Sequence, residues 1–320
     1  VYIVTFVLGF PMNGLAFYTF CKKVRRKPTP IDILLLNLTI SDLLFLIFLP
    51  FKMHEANNNM IWNLPYVLCP LIDFIFFMTI YNSTFCLTAV SVERYLGVVF
   101  PIQHTLRRQP GYAVAASIFF WFLSFFHMSV VFVVSFFGST KPLNVTADQN
   151  ASGQTPQICY ENFNDIQLKI LLPVRLELFV VLFCIPFLIC CFCYINVIKV
   201  LSKMQHINRH QRLRAIGMAL GTLILFAVCF GPYNISHVVG FITWKSPDWR
   251  DKALLLSTFN ACLDPFIFYM SSSVLIAFYS SEIIKKKKPC INSPWTSNIF
   301  FLSLKEKKSN GQLPSAPGPA

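Results

Sequence analysis

Long apolar runs alternate with short polar connections along the chain, at about residues 1–20, 31–53, 67–98, 111–137, 169–200, 214–243 and 252–273. The third run organises the rest. From Cys69 to Arg94 it measures roughly 38 Å as a helix at ~1.5 Å per residue, longer than a hydrocarbon core of about 30 Å. Its middle is almost uncharged, with Cys69 at one end and Glu93-Arg94-Tyr95 at the other. The pattern predicts an all-α membrane protein, a seven-helix bundle.

Composition agrees: 55% of the 320 residues are hydrophobic and only 13% charged, including 34 Phe, where soluble domains carry about 25% charge. A net charge of +13 would suggest nucleic acid, but the basic residues stand in blocks between apolar runs: Lys22 to Lys27, Arg107-Arg108, Lys203 to Arg214, and Lys285 to Lys288. These blocks fall in alternate connections, so they mark the cytoplasmic side, place the N-terminus outside and the tail inside, and exclude a nucleic-acid partner. The chain begins at Val1 inside an apolar run, as a piece lacking a short outer N-terminus would. Most of the 11 Cys lie singly in apolar runs, and none are spaced as a zinc site.

The connection from Gly138 to Asp165 is long, polar and on the outer side. Asn144 and Asn150 head two glycosylation signals there; the matching triplets at Asn37, Asn82 and Asn234 fall within spans and are set aside. Cys159 and Cys69 form the well-placed outer pair, so a disulfide between them is expected, two free thiols being the alternative. Beyond the membrane domain, 1–273, residues 274–288 read as a short amphipathic helix on the inner surface, with Leu275, Phe278 and Ile283 facing lipid. Its last four residues, Lys285 to Lys288, favour anionic lipid, and residues 289–320 read as a disordered cytoplasmic tail.

Each run also bears a mark. These are Asn13; Asn37-Leu38-Thr39-Ile40-Ser41-Asp42; Cys69 and Glu93-Arg94-Tyr95; Trp121; Pro186 and Tyr194; Cys229-Phe230-Gly231-Pro232; and Asp264-Pro265-Phe266-Ile267-Phe268. In order and spacing they resemble the rhodopsin-like G-protein-coupled receptors. Longer strings, Leu172 to Glu177, Cys229 to Val238 and Ser246 to Arg250, are similar to the free fatty acid receptors, and among these to the short-chain types 2 and 3. Phe77 leans toward type 3. The resemblance implies a plasma-membrane receptor with no enzymatic activity or cofactor. Its implied partners are short-chain fatty acids, heterotrimeric G proteins of Gi/o or Gq type, and arrestin. Glu93, Arg94, Tyr95, Tyr194, Phe230, Pro232, Asp264 and Pro265 take the activation and coupling positions. Three departures stand out: Phe230 replaces a tryptophan, Phe268 a tyrosine, and Arg212 and Arg214 leave no acid to latch Arg94, which is expected to pair with Glu93 alone.

The residues themselves suit a small carboxylate. Arg175 opens the outer end of the fifth run and Arg250 stands at the entrance to the seventh; a charge at membrane depth costs about 2.5–3.5 kcal/mol and so faces a cavity and a partner. Tyr233 and His237 are four apart, on one helical face shared by Phe230. The resemblance assigns anion binding to Arg175, His237 and Arg250, with Tyr233, Tyr81 and His127 in support. Against this, Arg175 could pair with Glu161 or, less well, Glu177, and His127 could be an ordinary hydrogen-bonded core histidine. Asp42, Ser83, Asn260 and Asp264 resemble this class's sodium pocket, the alternative being a water-filled hinge network. An amine receptor is disfavoured by Phe76 in the third run and a retinal protein by Thr258 in the seventh; a transporter, channel or intramembrane enzyme lacks repeats, broken helices or a nucleophile with a base. A receptor for longer fatty acids or another small anion is the serious rival.

Overall fold

The computed structural model of the chain describes residues 1–58, 61–65, 67–107, 109–134, 165–204 and 209–266. Among them, helices α1 (Tyr2–Arg26), α2 (Pro30–Asn57), α3 (Leu68–Val99), α4 (Pro101–Arg107) and α5 (Pro110–Val134) come first. Helix α6 (Asp165–Leu178) runs through a π-helical segment, Phe179–Cys184, into α7 (Ile185–Lys203), followed by α8 (Arg209–Thr243) and α9 (Arg250–Thr258). Helix resumes over 260–266 after a turn at Phe259. Six of these are long and apolar enough to cross a membrane, with α6 to α7 counting as one continuous span from Ile166 to Lys203. The protein is a helical membrane bundle that crosses the bilayer repeatedly. The amphipathic helix expected at 274–288 and the tail lie outside the described residues.

The bundle is built around α3. In its most apolar stretch 83% of residues are buried, against 22% in α1 and in α5, and it packs on α2, α5 and α7. Side chains on the outside stay apolar: Phe122, Phe126 and Ile242 are exposed, which lipid permits and water would penalise. Inside, several hydroxyls close onto their own helix, Thr39 Oγ1 onto Leu35 O and Thr84 Oγ1 onto Ile80 O, which satisfies those groups in a dry interior. Polar bonds staple helices together. Asn13 Nδ2 donates to Ala261 O at 2.6 Å, Ser41 Oγ to Thr79 O at 2.9 Å, and Trp121 Nε1 to Asn37 Oδ1 at 2.7 Å.

Helix bounds depart from the apolar runs for electrostatic and backbone reasons. Helix α1 continues through Lys23, Arg25 and Arg26 rather than ending at residue 20, because cations at a helix C-terminus complement its dipole. Thr29 Oγ1 caps α2 by accepting from Asp32 N, with Pro30 as first residue. The fifth apolar run carries a π turn: Ile185 N donates to Val180 O, five residues back, and Pro186 follows with no N–H of its own. The extra residue turns the part of the helix holding Arg175 by roughly 100° relative to the part holding Tyr194.

Candidate functional site

Helices α3, α5, α6, α8 and α9 converge on a cavity of about 10 Å³, room for about one water molecule. Arg175, Arg250, His237, Tyr81 and Tyr233 supply its polar lining; Phe77, Met128, Val131 and Leu178 supply the apolar wall. All five polar side chains are buried. Arg250 Nη2 donates to Tyr233 Oη at 2.8 Å while its guanidinium lies over the same ring, 5.3 Å from the centroid. Tyr81 Oη stands 3.3 Å from His237 Nε2 and 3.5 Å from Asn234 Oδ1. The His237 ring meets Tyr233 edge-on, and the Phe77 ring stacks against Tyr233 at 5.6 Å. His237 Nδ1 is buried with no hydrogen-bond partner among the described residues. The four-residue spacing of Tyr233 and His237 therefore aims both side chains at the arginines.

One expected supporting member stands elsewhere, as the alternative reading of it allowed. His127 does not line the cavity; its Nδ1 lies 2.8 Å from Leu123 O and its Nε2 2.9 Å from Glu177 Oε1. It is held to its own helix and tied to α6 by its contact with Glu177, while its neighbour Met128 faces inward. That same contact removes Glu177 as the partner of Arg175, whose Nη1 donates instead to Ser246 Oγ at 3.0 Å. Glu161, Asn144, Asn150 and Cys159 lie outside the described residues. Cys69 is disulfide-bonded, its partner likewise outside them.

Sequence reasoning also missed a buried ion triad. Lys52 Nζ bonds Glu55 Oε2 at 3.0 Å and pairs with Asp73 Oδ1, joining α2 to α3. The i, i+3 spacing of Lys52 and Glu55 was a legible signal; the third member, on another helix, was not.

Deeper in the bundle, a second cavity of about 10 Å³ is lined by Asp42, Ser83, Asn260 and Phe230, among others. Ser83 Oγ donates to Asp42 Oδ1 at 3.4 Å and Asn260 Nδ2 to Asp264 Oδ2 at 2.8 Å. Asn260 Oδ1 is a buried oxygen with no hydrogen-bond partner among the described residues, and the Asp42 and Asp264 carboxyls lie within hydrogen-bonding reach of each other. Two carboxylates, an amide oxygen and a hydroxyl form an all-oxygen donor set, which fits a hard monovalent cation. No group of three His, Cys, Asp or Glu side chains placed to hold a metal occurs among the described residues.

At the opposite end of α3 from Cys69, Arg94 Nη1 donates to Tyr194 Oη at 3.0 Å, and Glu93 Oε2 lies 2.8 Å from His104 Nε2. The expected Arg94–Glu93 pairing is thus replaced. Helix α4, which the apolar pattern did not predict, carries His104 back to Glu93, and Arg94 turns inward toward α7. Tyr95 packs edge-on to Phe100. Phe230 is buried and edge-on to Phe226 at 5.3 Å, one turn below Asn234 and two residues before Pro232 in α8. Asp264 and Pro265 are buried on the resumed helix.

Residues 12–268 match the 7 transmembrane receptor (rhodopsin family). The chain is 45% identical over 320 residues to free fatty acid receptor 3 of Mus musculus, covering 100% of this chain and 95% of that protein. To free fatty acid receptor 3 of Homo sapiens it is 48% identical over 273 residues, 85% of this chain and 76% of that one. To free fatty acid receptor 2 of Rattus norvegicus it is 44% identical over 290 residues, 90% and 85% of the two chains.

Proposed function

The chain belongs to the rhodopsin family of seven-transmembrane receptors and, within it, to the free fatty acid receptors, and from that premise we propose that it is a cell-surface receptor for short-chain fatty acids that signals through heterotrimeric G proteins of Gi/o or Gq type. It is a signalling receptor, not an enzyme. The observation that carries the ligand class is the cavity lined by two guanidinium groups, an imidazole and two phenol hydroxyls. A carboxylate accepts paired, charge-assisted hydrogen bonds from guanidinium, and phenol and imidazole N–H groups complete its shell. With room for about one water, the cavity must open to admit any acid, and a short chain demands the least opening. Each buried methylene adds only ~0.8 kcal/mol, so the charge-assisted bonds, about 1.5–3 kcal/mol each, carry the affinity. Recognition is expected to be weak, in the micromolar to millimolar range.

The mechanism is a population shift. A bound carboxylate draws α6, α8 and α9 together at the outer end through Arg175, His237 and Arg250. Pivoting of α8 near Phe230 and Pro232 opens the inner end, where Arg94 and Tyr194 meet the G protein, and later arrestin. Asp42, Ser83, Asn260 and Asp264 would hold a sodium ion, which supplies charge neutralisation of the two carboxylates and favours the inactive arrangement. The N-terminus is outside and the tail cytoplasmic. Asn144 and Asn150 are glycosylated, Cys69 bonds Cys159, residues 1–273 form the receptor domain, and 274–288 lie on the inner leaflet against anionic lipid.

The test is a dose-response of G-protein activation in cells to sodium acetate, propionate, butyrate and octanoate, with Arg250→Ala beside the parent protein. Responses to acids of two to five carbons that vanish in the variant support the reading; a potency that rises with chain length to octanoate assigns the site to longer fatty acids.

A further inference from the structure

The connection between α8 and α9, residues 244–249, touches both arginines. Ser246 Oγ accepts from Arg175 Nη1 at 3.0 Å, and Pro247 O accepts from the backbone N–H of Arg250 at 3.0 Å. These adjacent residues thus meet the guanidinium of one cation and the backbone that launches the other. Arg175 is buried, so a hydroxyl that fixes the rotation of its guanidinium decides which N–H groups face the cavity. Serine is suited to this: its hydroxyl oxygen accepts from the cation on a short side chain with little freedom of its own.

The connection is held in place rather than draped. Trp244 takes a positive φ of 52°, a left-handed turn that a bulky residue adopts only where its surroundings require it. Thr243 Oγ1 donates to Lys245 O at 3.1 Å across that turn. The backbone then folds back on α8 at Gly240, where a β-carbon would stand 3.4 Å from Lys245 O and 3.7 Å from Pro247 Cδ. The same position would be 3.8 Å from Leu172 Cδ2, one turn before Arg175 on α6. A β-carbon at Gly240 would thus be in ordinary van der Waals contact with both the connection and α6, so the connection lies close against α8 there and only a side chain reaching past its β-carbon would push it away.

The geometry points to Ser246 as a positioning residue for the carboxylate site: it holds the Arg175 guanidinium in its binding orientation and links α6 to the α8–α9 connection. The inference rests on the carboxylate-receptor reading above. Because the hydroxyl acts on the charged end of the ligand, its effect should be the same for acids of different length, which a general loosening of the bundle would not produce.

The experiment measures G-protein activation by sodium acetate, propionate and butyrate for the parent, Ser246→Ala, Ser246→Thr, Gly240→Val and Arg175→Ala, each with surface expression determined. Ser246→Ala is expected to raise the half-maximal concentration about tenfold for all three acids, the cost of one hydrogen bond to a charged group, with the maximal response kept. Ser246→Thr, which keeps the hydroxyl, restores the parent value. Gly240→Val displaces the connection from the other side and shifts the curves in the same direction, which keeps the idea open to test if Ser246→Ala fails to reach the surface. Unshifted curves in Ser246→Ala beside a silent Arg175→Ala overturn the role of Ser246 and leave the receptor reading standing. An unaffected Arg175→Ala overturns that reading, and this inference with it. A fall in maximal response that threonine does not rescue, or a shift that differs among the three acids, shows a packing role only and also overturns the inference.

Discussion

Two cavities of equal size share α3 and α8 and carry opposite chemistry. The outer one, about 10 Å³, gathers Arg175, Arg250 and His237; the deeper one, of the same volume, gathers Asp42, Asn260 and Ser83, with Asp264 bonded to Asn260 beside it. Neither has more room than a water molecule, so size does not distinguish them. Sign does. Guanidinium and imidazole groups line the first and carboxyl, amide and hydroxyl oxygens the second, so under the proposed reading the first takes an anion and the second a cation. The phenol of Tyr81 lies between the imidazole of His237 and the amide of Asn234, and Asn234 Nδ2 donates to the carbonyl of Phe230, which lines the deeper cavity. A short polar chain along α8 therefore runs from the outer cavity toward the deeper one.

The contrast is broken most completely by removing a charge from the outer cavity. Arg175→Ala or Arg250→Ala is expected to weaken the response to short acids by about thirtyfold or more, since losing one partner of a buried charge pair costs roughly 2–5 kcal/mol; radioligand displacement or a dose-response reads this directly. Next comes Tyr233→Phe. It deletes the hydroxyl that accepts from Arg250 at 2.8 Å and keeps the ring that stacks on Phe77, so about a tenfold rise in half-maximal concentration should appear without loss of surface expression. The deeper cavity should respond to a different variable. In the parent, replacing sodium by a large organic cation at constant ionic strength should raise agonist affinity several-fold, the size of a typical coupling between two sites. Asp42→Asn should abolish that dependence, and a parent protein indifferent to sodium would remove the cation reading while leaving the outer site intact. The smallest effect is in chain length. Each added methylene up to five carbons should alter potency by no more than about fourfold, the worth of one buried methylene.

Much of this was legible in the order of residues. Apolar runs, basic blocks and the positions of Arg175, Arg250, Tyr233 and His237 identified the bundle and four members of the outer cavity, because hydrophobic length and helical periodicity are local properties. His127 was misplaced because a helix face read from spacing does not say which neighbour lies against it; Glu177, on α6, drew it aside. The Lys52–Asp73 pair and the Arg175–Ser246 bond escaped for the same reason.

Bilayer, turn and cap chemistry are written in short stretches, and the sequence by itself determined them: apolar helical spans, alternating charge in the connections, and residues whose burial demands a partner. Which partner each one takes was decided only by tertiary structure. Arg94 stands beside Glu93 in the chain yet bonds Tyr194, 100 residues away, and Arg175 is two residues from Glu177 yet bonds Ser246, 71 residues away. On a helix, neighbours in sequence point in different directions, so the counterpart of a buried charge is set by the packing of helices against one another and by the turns of α4 and of the 244–249 connection that bring distant side chains within reach.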